Sequence, residues 1–147
     1  MERDQVADII AVEQLLARYA VSMTQDDAEG AAAVFTPDGC YRAFGEDFHP
    51  HDFPTLVRAA PNGLYLTGTP LLDLVADSGT GVQTLCFVDQ ATHEMRIGYY
   101  SDTYLRTPDG WRLHTRSMTF LRRGGARDSG RAHDVGRPAP TADPAAR

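Results

Sequence analysis

The chain has 147 residues, of which 42% are hydrophobic and 23% charged, a composition typical of one soluble globular domain. Its net charge of -6 argues against a protein that binds nucleic acid by electrostatic attraction. No apolar run approaches the roughly 20 residues that a membrane span requires, and the acidic, polar start MERDQVAD does not have the character of a secretory signal. We therefore expect a cytoplasmic protein without a nucleic-acid or membrane partner.

The N-terminal part of the chain predicts two helices. Apolar residues recur at helical spacing over Arg3–Thr24, which indicates a long amphipathic helix. Asp26 and Glu29 have the spacing of a capping box, so a second, short helix is expected to begin there and to continue through Phe35.

The middle of the chain predicts short, irregular elements. Pro37-Asp38-Gly39 indicates a turn, and residues 40–44 a short strand. Residues 46–54 are rich in charge, His and Pro, which favours a loop. Residues 55–60 predict one or two helical turns before the break at 61–63.

The rest of the folded part predicts antiparallel strands, over residues 64–76, 81–90, 95–106 and 111–122. After Arg123 the chain has almost no large apolar residue and is dense in Gly, Pro, Ala, Arg and Asp, so it cannot offset the entropy of ordering. We therefore expect one domain over residues 1–123 and a disordered tail over 124–147. Helices followed by antiparallel strands predict an α+β fold, in which a strongly curved antiparallel sheet wraps around the long first helix and encloses a pocket.

The cysteines and histidines do not suggest a metal site. Cys40 and Cys86 are expected to be reduced thiols in strands, and their spacing suits no zinc site. His49 and His51 would need further ligands, which the sequence does not offer. No glycine pattern typical of phosphate binding is present either. We expect neither a metal nor a cofactor.

Residues 98–116 form the most informative segment, because two strands joined by a Pro-Asp-Gly turn bring several chemically useful side chains together. Alternate residues of a strand share a face. The side chains expected on one face of each strand are Tyr100, Asp102 and Tyr104, then His114, Arg116 and Met118. Such a face is an active site if it lines a cavity and has no special meaning if it meets solvent.

Several short motifs occur along the chain in a characteristic order. They are Ala17-Arg18-Tyr19, Asp27, Phe35-Thr36-Pro37-Asp38-Gly39, Gly98-x-Tyr100-x-Asp102, Arg106, Asp109-Gly110-Trp111-Arg112-Leu113 and Arg116. In this order they resemble the SnoaL-like proteins of the nuclear-transport-factor-2-like superfamily over roughly residues 6–122. The resemblance implies a cone-shaped α+β fold with a deep apolar pocket, commonly dimeric through the sheet. Members of the superfamily include scytalone dehydratase, ketosteroid isomerase, hexachlorocyclohexane dehydrochlorinase and polyketide cyclases.

The chain differs from the proteins it resembles at the positions of their proton-transfer groups. Dehydratase-like and dehydrochlorinase-like members share a His-Asp pair, and the matching positions in this chain are Tyr65 and Thr24. Arg116 matches the pocket arginine of the dehydrochlorinase, and Asp102 matches the inward acid of its strand. The resemblance therefore implies the scaffold of the family without its usual dyad.

Two interpretations remain open for the candidate catalytic residues Asp102, Arg116, Tyr65 and Tyr100. Asp102 and Arg116 are either a buried ion pair or a general base with an anchor for a carbonyl oxygen. The tyrosines are either core aromatics or hydrogen-bond donors to a ligand. The residues expected to bind substrate are Tyr19, Met23, Thr24, Tyr41, Leu56, Phe87, His114 and Met118.

The function favoured by these features is that of a cofactor-independent dehydratase, isomerase or cyclase. Its substrate would be a hydrophobic small molecule such as a polyketide, a terpenoid or a steroid-like compound, and the chain would form a homodimer. The alternative is a non-catalytic binding protein or dimeric interaction module on the same fold, which the substitutions at Thr24 and Tyr65 support. A third possibility is a scaffold whose cavity is filled by its own side chains.

Overall fold

The computed structural model describes residues 3–130, which contain three helices and eight strands. The helices are α1 (Arg3–Thr24), α2 (Ala28–Ala32) and α3 (Phe53–Ala59). The strands are β1 (Phe35–Ala43), β2 (Glu46–Phe48), β3 (Gly63–Thr67), β4 (Leu71–Val75), β5 (Ser78–Asp89), β6 (Met95–Thr107), β7 (Gly110–Leu121) and β8 (Arg127–Asp128). No helix within these residues has the length and apolar character needed to cross a membrane.

The strands form one curved sheet against α1, which confirms the α+β expectation. The order is β2-β1-β7-β6-β5-β3, with β4 added to β5 and β8 to β7. The sheet is mixed rather than wholly antiparallel, because β1 runs parallel to β7. The buried face of α1 includes Leu16, Tyr19 and Met23, which pack against the inner face of the sheet. The core therefore lies between one helix and one sheet.

The second helix is shorter than expected and has a different cap. Asp26 has a backbone φ of +59°, which is not helical, and the cap is Asp27, whose Oδ1 accepts from the backbone N of Gly30 at 3.0 Å. The helix ends at Ala32 instead of Phe35. Phe35 begins β1 and pairs with Leu113 of β7, so pairing with a distant strand prevails over local helical spacing.

The predicted turn and loop between residues 37 and 54 also differ from the structure. The Pro37-Asp38-Gly39 segment lies inside β1, where the register against β7 shifts between Phe35 and Cys40. Residues 46–48, expected in a loop, form β2 and pair with β1. Cys40 and Cys86 are free thiols in β1 and β5.

A bulge in β7 decides which side chains of this strand face the core. Tyr104 pairs with Leu113 and Thr103 pairs with Thr115, so His114 is an additional residue on β7. Because a bulge shifts the alternation by one residue, Leu113 and Arg116 are both buried, although they lie three positions apart. The expectation that His114 shares a face with Arg116 is therefore wrong.

Ordered structure continues past the expected domain end at Arg123. β8 pairs with β7 through Phe120↔Asp128 and Leu121↔Arg127. Arg122 and Asp128 also form an ion pair with an Nη2–Oδ1 distance of 2.5 Å. These pairings order residues that have little apolar surface of their own. The expectation of disorder over residues 131–147 lies outside the described part of the chain.

Candidate functional site

A cavity of about 70 Å³ lies between α1, α3 and the inner face of the sheet. Eight residues predicted to bind or transform substrate line it: Tyr19, Met23, Tyr41, Leu56, Tyr65, Phe87, Tyr100 and Met118. Four of them are tyrosines, and the remainder are apolar. The cavity is therefore an apolar space whose polar groups are chiefly phenol hydroxyls.

Sequence reasoning missed several other residues of the cavity wall. They are Phe44, Phe53, Val57, Ala60, Pro61, Leu85, Arg96 and Phe120. Leu85 and Phe120 could have been found, because each lies two positions along a strand from a predicted lining residue. Phe44 could not, since it occupies the turn between β1 and β2.

Four residues predicted for the site lie outside the cavity lining: Asp102, Arg116, Thr24 and His114. Thr24 Oγ1 donates to the carbonyl of Ala20 at 2.8 Å and accepts from the backbone N of Tyr65 at 3.0 Å, so it joins the end of α1 to β3. His114 lies on the other side of β7, where its Nδ1 is 3.0 Å from Thr36 Oγ1. In these positions neither side chain lines the cavity.

Asp102 and Arg116 form a fully buried pair behind the cavity wall. Arg116 Nε donates to Asp102 Oδ1 and its Nη2 donates to Oδ2, both at 2.8 Å. Tyr104 donates to the same Oδ2 at 2.9 Å. Because its oxygens are occupied and it does not line the cavity, Asp102 is a counterion for Arg116, and the interpretation as a general base is not supported.

The rest of the Arg116 guanidinium meets a glutamine and two aromatic rings. Nη2 also donates to Gln83 Oε1 at 3.1 Å, and Gln83 in turn donates to the carbonyl of Gly68 at 3.0 Å. The guanidinium carbon lies 3.8 Å from the ring centroid of Tyr100 and 4.6 Å from that of Tyr19. Nη1 is buried and has no acceptor in reach within residues 3–130. A cation with a spare donor thus lies directly behind two tyrosines of the cavity wall.

Burial keeps the cavity tyrosines protonated. It raises the pKa of Tyr19 to about 12, against a smaller opposing effect of Arg116. Burial likewise raises the pKa values of Tyr41, Tyr65 and Tyr100 well above the usual value of 10.0. Burial and the charges of nearby groups, rather than any hydrogen bond within residues 3–130, shift the pKa values of the Tyr41 and Tyr65 hydroxyls. These two phenols are therefore neutral donors that a ligand oxygen could accept from.

Arg116 keeps its charge in spite of its burial. Burial lowers the pKa of its guanidinium, but the charge and hydrogen bonds of Asp102 outweigh this effect and raise the pKa overall. The same carboxylate neutralises the cation at long range. At the short distance to the Tyr100 and Tyr19 rings, however, the guanidinium acts more strongly than the carboxylate, so it can still polarise an oxygen held by these tyrosines.

The lining offers donors but no strong base. Among the lining residues within 3–130, none is Asp, Glu or His, and Arg96 is the one that carries a formal charge. No group of three His, Cys, Asp or Glu side chains in this part of the chain could hold a metal ion. The polar side chains of the lining are thus the tyrosine hydroxyls and the Arg96 guanidinium.

Solved structures of low sequence identity share this architecture. Rv3472 of Mycobacterium tuberculosis, a protein of unknown function solved as a variant, aligns with a TM-score of 0.72 and 24% identity over 81% of this chain and 75% of its own. A candidate scytalone dehydratase from Novosphingobium aromaticivorans aligns with a TM-score of 0.75 and 15% identity over 93% of this chain and 99% of its own. A type 2 hexachlorocyclohexane dehydrochlorinase aligns with a TM-score of 0.69 and 13% identity over 80% of this chain and 87% of its own. At these identities the likeness concerns the fold.

The sequence itself identifies the family. No curated protein matches it significantly. The SnoaL-like domain, in contrast, matches residues 4–117, which include the helix α1, the cavity tyrosines and the Asp102–Arg116 pair. The chain therefore belongs to the SnoaL-like domain family.

Proposed function

We propose that this protein is a cofactor-independent lyase or isomerase, of the dehydratase or cyclase type, that acts on a hydrophobic small molecule. The observation that carries the proposal is the convergence of four neutral tyrosines on one apolar cavity in front of a buried cation. Membership of the SnoaL-like family supports it, as does the likeness to structures described as a dehydratase and a dehydrochlorinase.

The tyrosines would act on an oxygen that gains negative charge during the reaction. Enolisation, loss of water beside a carbonyl and intramolecular ring closure all develop such charge. Tyr65 and Tyr41 would donate to this oxygen, and Arg116 would stabilise the charge through Tyr100 and Tyr19. The apolar wall would hold the substrate in a reactive conformation, which can itself supply a large part of the rate.

The alternative is a binding protein without chemistry, and one observation favours it. The positions of the family dyad hold Thr24 and Tyr65, and the lining residues within 3–130 include no carboxylate or imidazole to remove a proton. A binding protein needs only shape and donors, both of which the cavity offers.

Recovery of the natural ligand distinguishes the two functions. The full chain is purified under native conditions, and small molecules bound to it are identified by native mass spectrometry and extraction. The compound, or its precursor, is then incubated with the parent, with Tyr65→Phe and with Tyr99→Phe, a control on the outer face of β6. An enzyme converts it, more slowly in Tyr65→Phe and unchanged in Tyr99→Phe. Stoichiometric return of the unaltered compound by all three proteins would establish a binding protein.

We also propose that the protein forms a homodimer through the outer face of the sheet. This face presents large apolar side chains that are about half exposed: Leu64 44%, Leu66 57%, Val82 44%, Met95 58% and Ile97 48%. Leu64, Leu66, Met95 and Ile97 cluster, because Leu64 and Met95 both pair with Val88 and Leu66 and Ile97 both pair with Cys86, whereas Val82 lies farther along β5. A contiguous apolar patch of this kind usually marks an interface.

A further inference from the structure

The turn between β1 and β2 holds a phenylalanine in an unusual backbone conformation. Phe44 and Gly45 have φ values of +60° and +72°. Two positive φ values are typical of the tight turn that joins two antiparallel strands, but the first position normally holds Asn, Asp or Gly. A bulky residue in this region is a strained choice. Some other interaction must therefore compensate for Phe44.

The compensating contacts place the Phe44 ring in the cavity wall. The ring stacks on Phe120 with a centroid distance of 6.5 Å and an interplanar angle of 25°, and it meets Phe48 edge-on at 6.4 Å. Phe44 and Phe120 both line the cavity. The two rings thus close one side of the site.

Ser129 holds this turn from the outside. Its carbonyl accepts from the backbone N of Phe44 at 2.7 Å, and its Oγ accepts from the backbone N of Gly45 at 2.9 Å. Ser129 follows β8, which is attached to β7 beside Phe120. A single residue near the end of the described chain thus satisfies both backbone donors of the strained turn.

Gly130 shows how closely this segment covers the two rings. Its φ is +88°, and a Cβ placed on it would lie 2.6 Å from Phe120 Cε2 and 3.1 Å from Phe44 Cδ1. The backbone of residue 130 therefore lies directly on the outer side of the aromatic pair. We call residues 127–130 the C-terminal strap. Through Gly130 the strap packs against Phe120 and Phe44 in the cavity wall.

Because the cavity is small, the strap can affect which ligands bind in it. An apolar cavity of about 150 Å³ can admit benzene, whereas this cavity has about 70 Å³. A ligand with one ring is larger than this volume, so it must extend through the open mouth of the cavity or displace part of the wall. The Phe44–Phe120 pair forms one side of this wall and is held by residues 129 and 130, so weakening the strap should let this side move.

We propose that Ser129 is a positioning residue for Phe44 and that the strap thereby limits the size of the ligand that the cavity accepts. The proposal rests on the proposed function, since it needs an apolar ligand in this cavity. Weakening the strap should enlarge the accessible space and should favour larger ligands over smaller ones.

The variants can be matched closely. Ser129→Ala removes the Oγ bond to Gly45, and Ser129→Thr retains an oxygen at that position. Gly130→Ala forces the strap and the two rings apart, because its Cβ would lie 2.6 Å from Phe120 Cε2. Gly125→Ala is its control, because Gly125 has a similar φ of +93° but no atom within 4 Å of a Cβ placed there. A loss of stability from the strained backbone alone would appear in both glycine variants.

The probes are phenol and 2-naphthol, which share one hydroxyl oxygen and differ by a ring, with dissociation constants measured by calorimetry on the full chain. Ser129→Ala and Gly130→Ala should raise the affinity for 2-naphthol relative to phenol by about tenfold, the low end of what size differences in apolar pockets produce. In Ser129→Thr and Gly125→Ala, the affinity for 2-naphthol relative to phenol should equal that of the parent. Binding of 2-naphthol only after Gly130→Ala would also support the proposal.

Amide hydrogen exchange tests the strap without any ligand. Ser129→Ala should accelerate exchange at Gly45, and Gly130→Ala at both Phe44 and Gly45, with no change in Gly125→Ala. Two outcomes would overturn the role of the strap: unchanged amide exchange in the variants, or the same affinity for 2-naphthol relative to phenol in every variant as in the parent. Either outcome would leave the proposed function standing. If none of the proteins binds either probe, the apolar-ligand function and this inference are both overturned.

Discussion

Asp102 and Arg116 occupy directly paired positions of β6 and β7, and their side chains form two hydrogen bonds of 2.8 Å without any exposure to solvent. The bulge at His114 makes this pairing possible, because regular alternation after Leu113 would turn Arg116 to the outer face. The ion pair thus holds the register of the strands that carry the floor of the cavity.

Asp102→Asn should therefore destabilise the protein strongly. The amide would leave the buried Arg116 without its counterion, a change that typically costs about 3–5 kcal/mol. Urea unfolding of Asp102→Asn and of the exposed control Asp73→Asn measures the difference. A variant as stable as the control, with weaker turnover or ligand binding, would instead favour a direct functional role for Asp102.

Two tyrosine substitutions should separate function from stability. Tyr104→Phe removes a buried hydrogen bond to Asp102 and should cost about 1–3 kcal/mol in the free energy of unfolding. Tyr65→Phe removes a hydroxyl of the cavity wall whose pKa reflects burial and nearby charges rather than a hydrogen bond, so stability should hardly change while ligand affinity or turnover falls. Unfolding curves and ligand binding of both variants provide the test. Equal ligand affinity in Tyr65→Phe and the parent would remove Tyr65 from the site.

Trp111→Ala should also reduce stability. The ring is only 4% exposed, its Nε1 donates to Asp8 at 3.0 Å, and the Arg106 guanidinium carbon lies 4.7 Å from its centroid. Loss of a buried aromatic side chain typically costs about 3–5 kcal/mol. Denaturant unfolding checks this value, and a loss below about 1 kcal/mol would mean that the ring contributes little packing.

The contact between α1 and the sheet should weaken in acid. Hydrogen bonds from Arg106, and then from Trp111, lower the pKa of Asp8 below its ordinary value of 3.8. A carboxyl group with a lowered pKa in the folded state stabilises the fold above the ordinary pKa, and this contribution is lost as the pH falls through the folded value. Asp8→Asn should lower the melting temperature near neutral pH and flatten its decline below about pH 4. The same decline in Asp8→Asn as in Asp4→Asn would contradict this role.

Ile97→Glu should convert the proposed dimer into a monomer. The charge would lie within the exposed apolar patch on the outer face, where a second copy would have to bury it. Sedimentation at micromolar concentration measures the state of the parent, of Ile97→Glu and of the control Val21→Glu on α1. A monomeric parent would exclude the dimer at that concentration.

The sequence by itself determined the elements whose pattern is local. The amphipathic spacing of α1 and the period-two alternation of β5 and β6 predicted their positions, because burial on one side imposes that spacing on any helix or strand. The same alternation predicted that Tyr100, Asp102 and Tyr104 share one face, and the structure, which decides that this face is the inner one, has all three buried. The ordered motifs also identified the SnoaL-like family.

The tertiary structure decided what depends on distant partners. β2 and β8 have three and two residues, too few for a pattern, and they form because β1 and β7 offer free edges. The bulge at His114 arises from the pairing of β6 with β7, and it turned His114 away from the site while keeping Arg116 inside. Asp102 became a counterion because Arg116 and Tyr104 occupy its oxygens, and the distances between side chains of separate strands exist only once the sheet has formed.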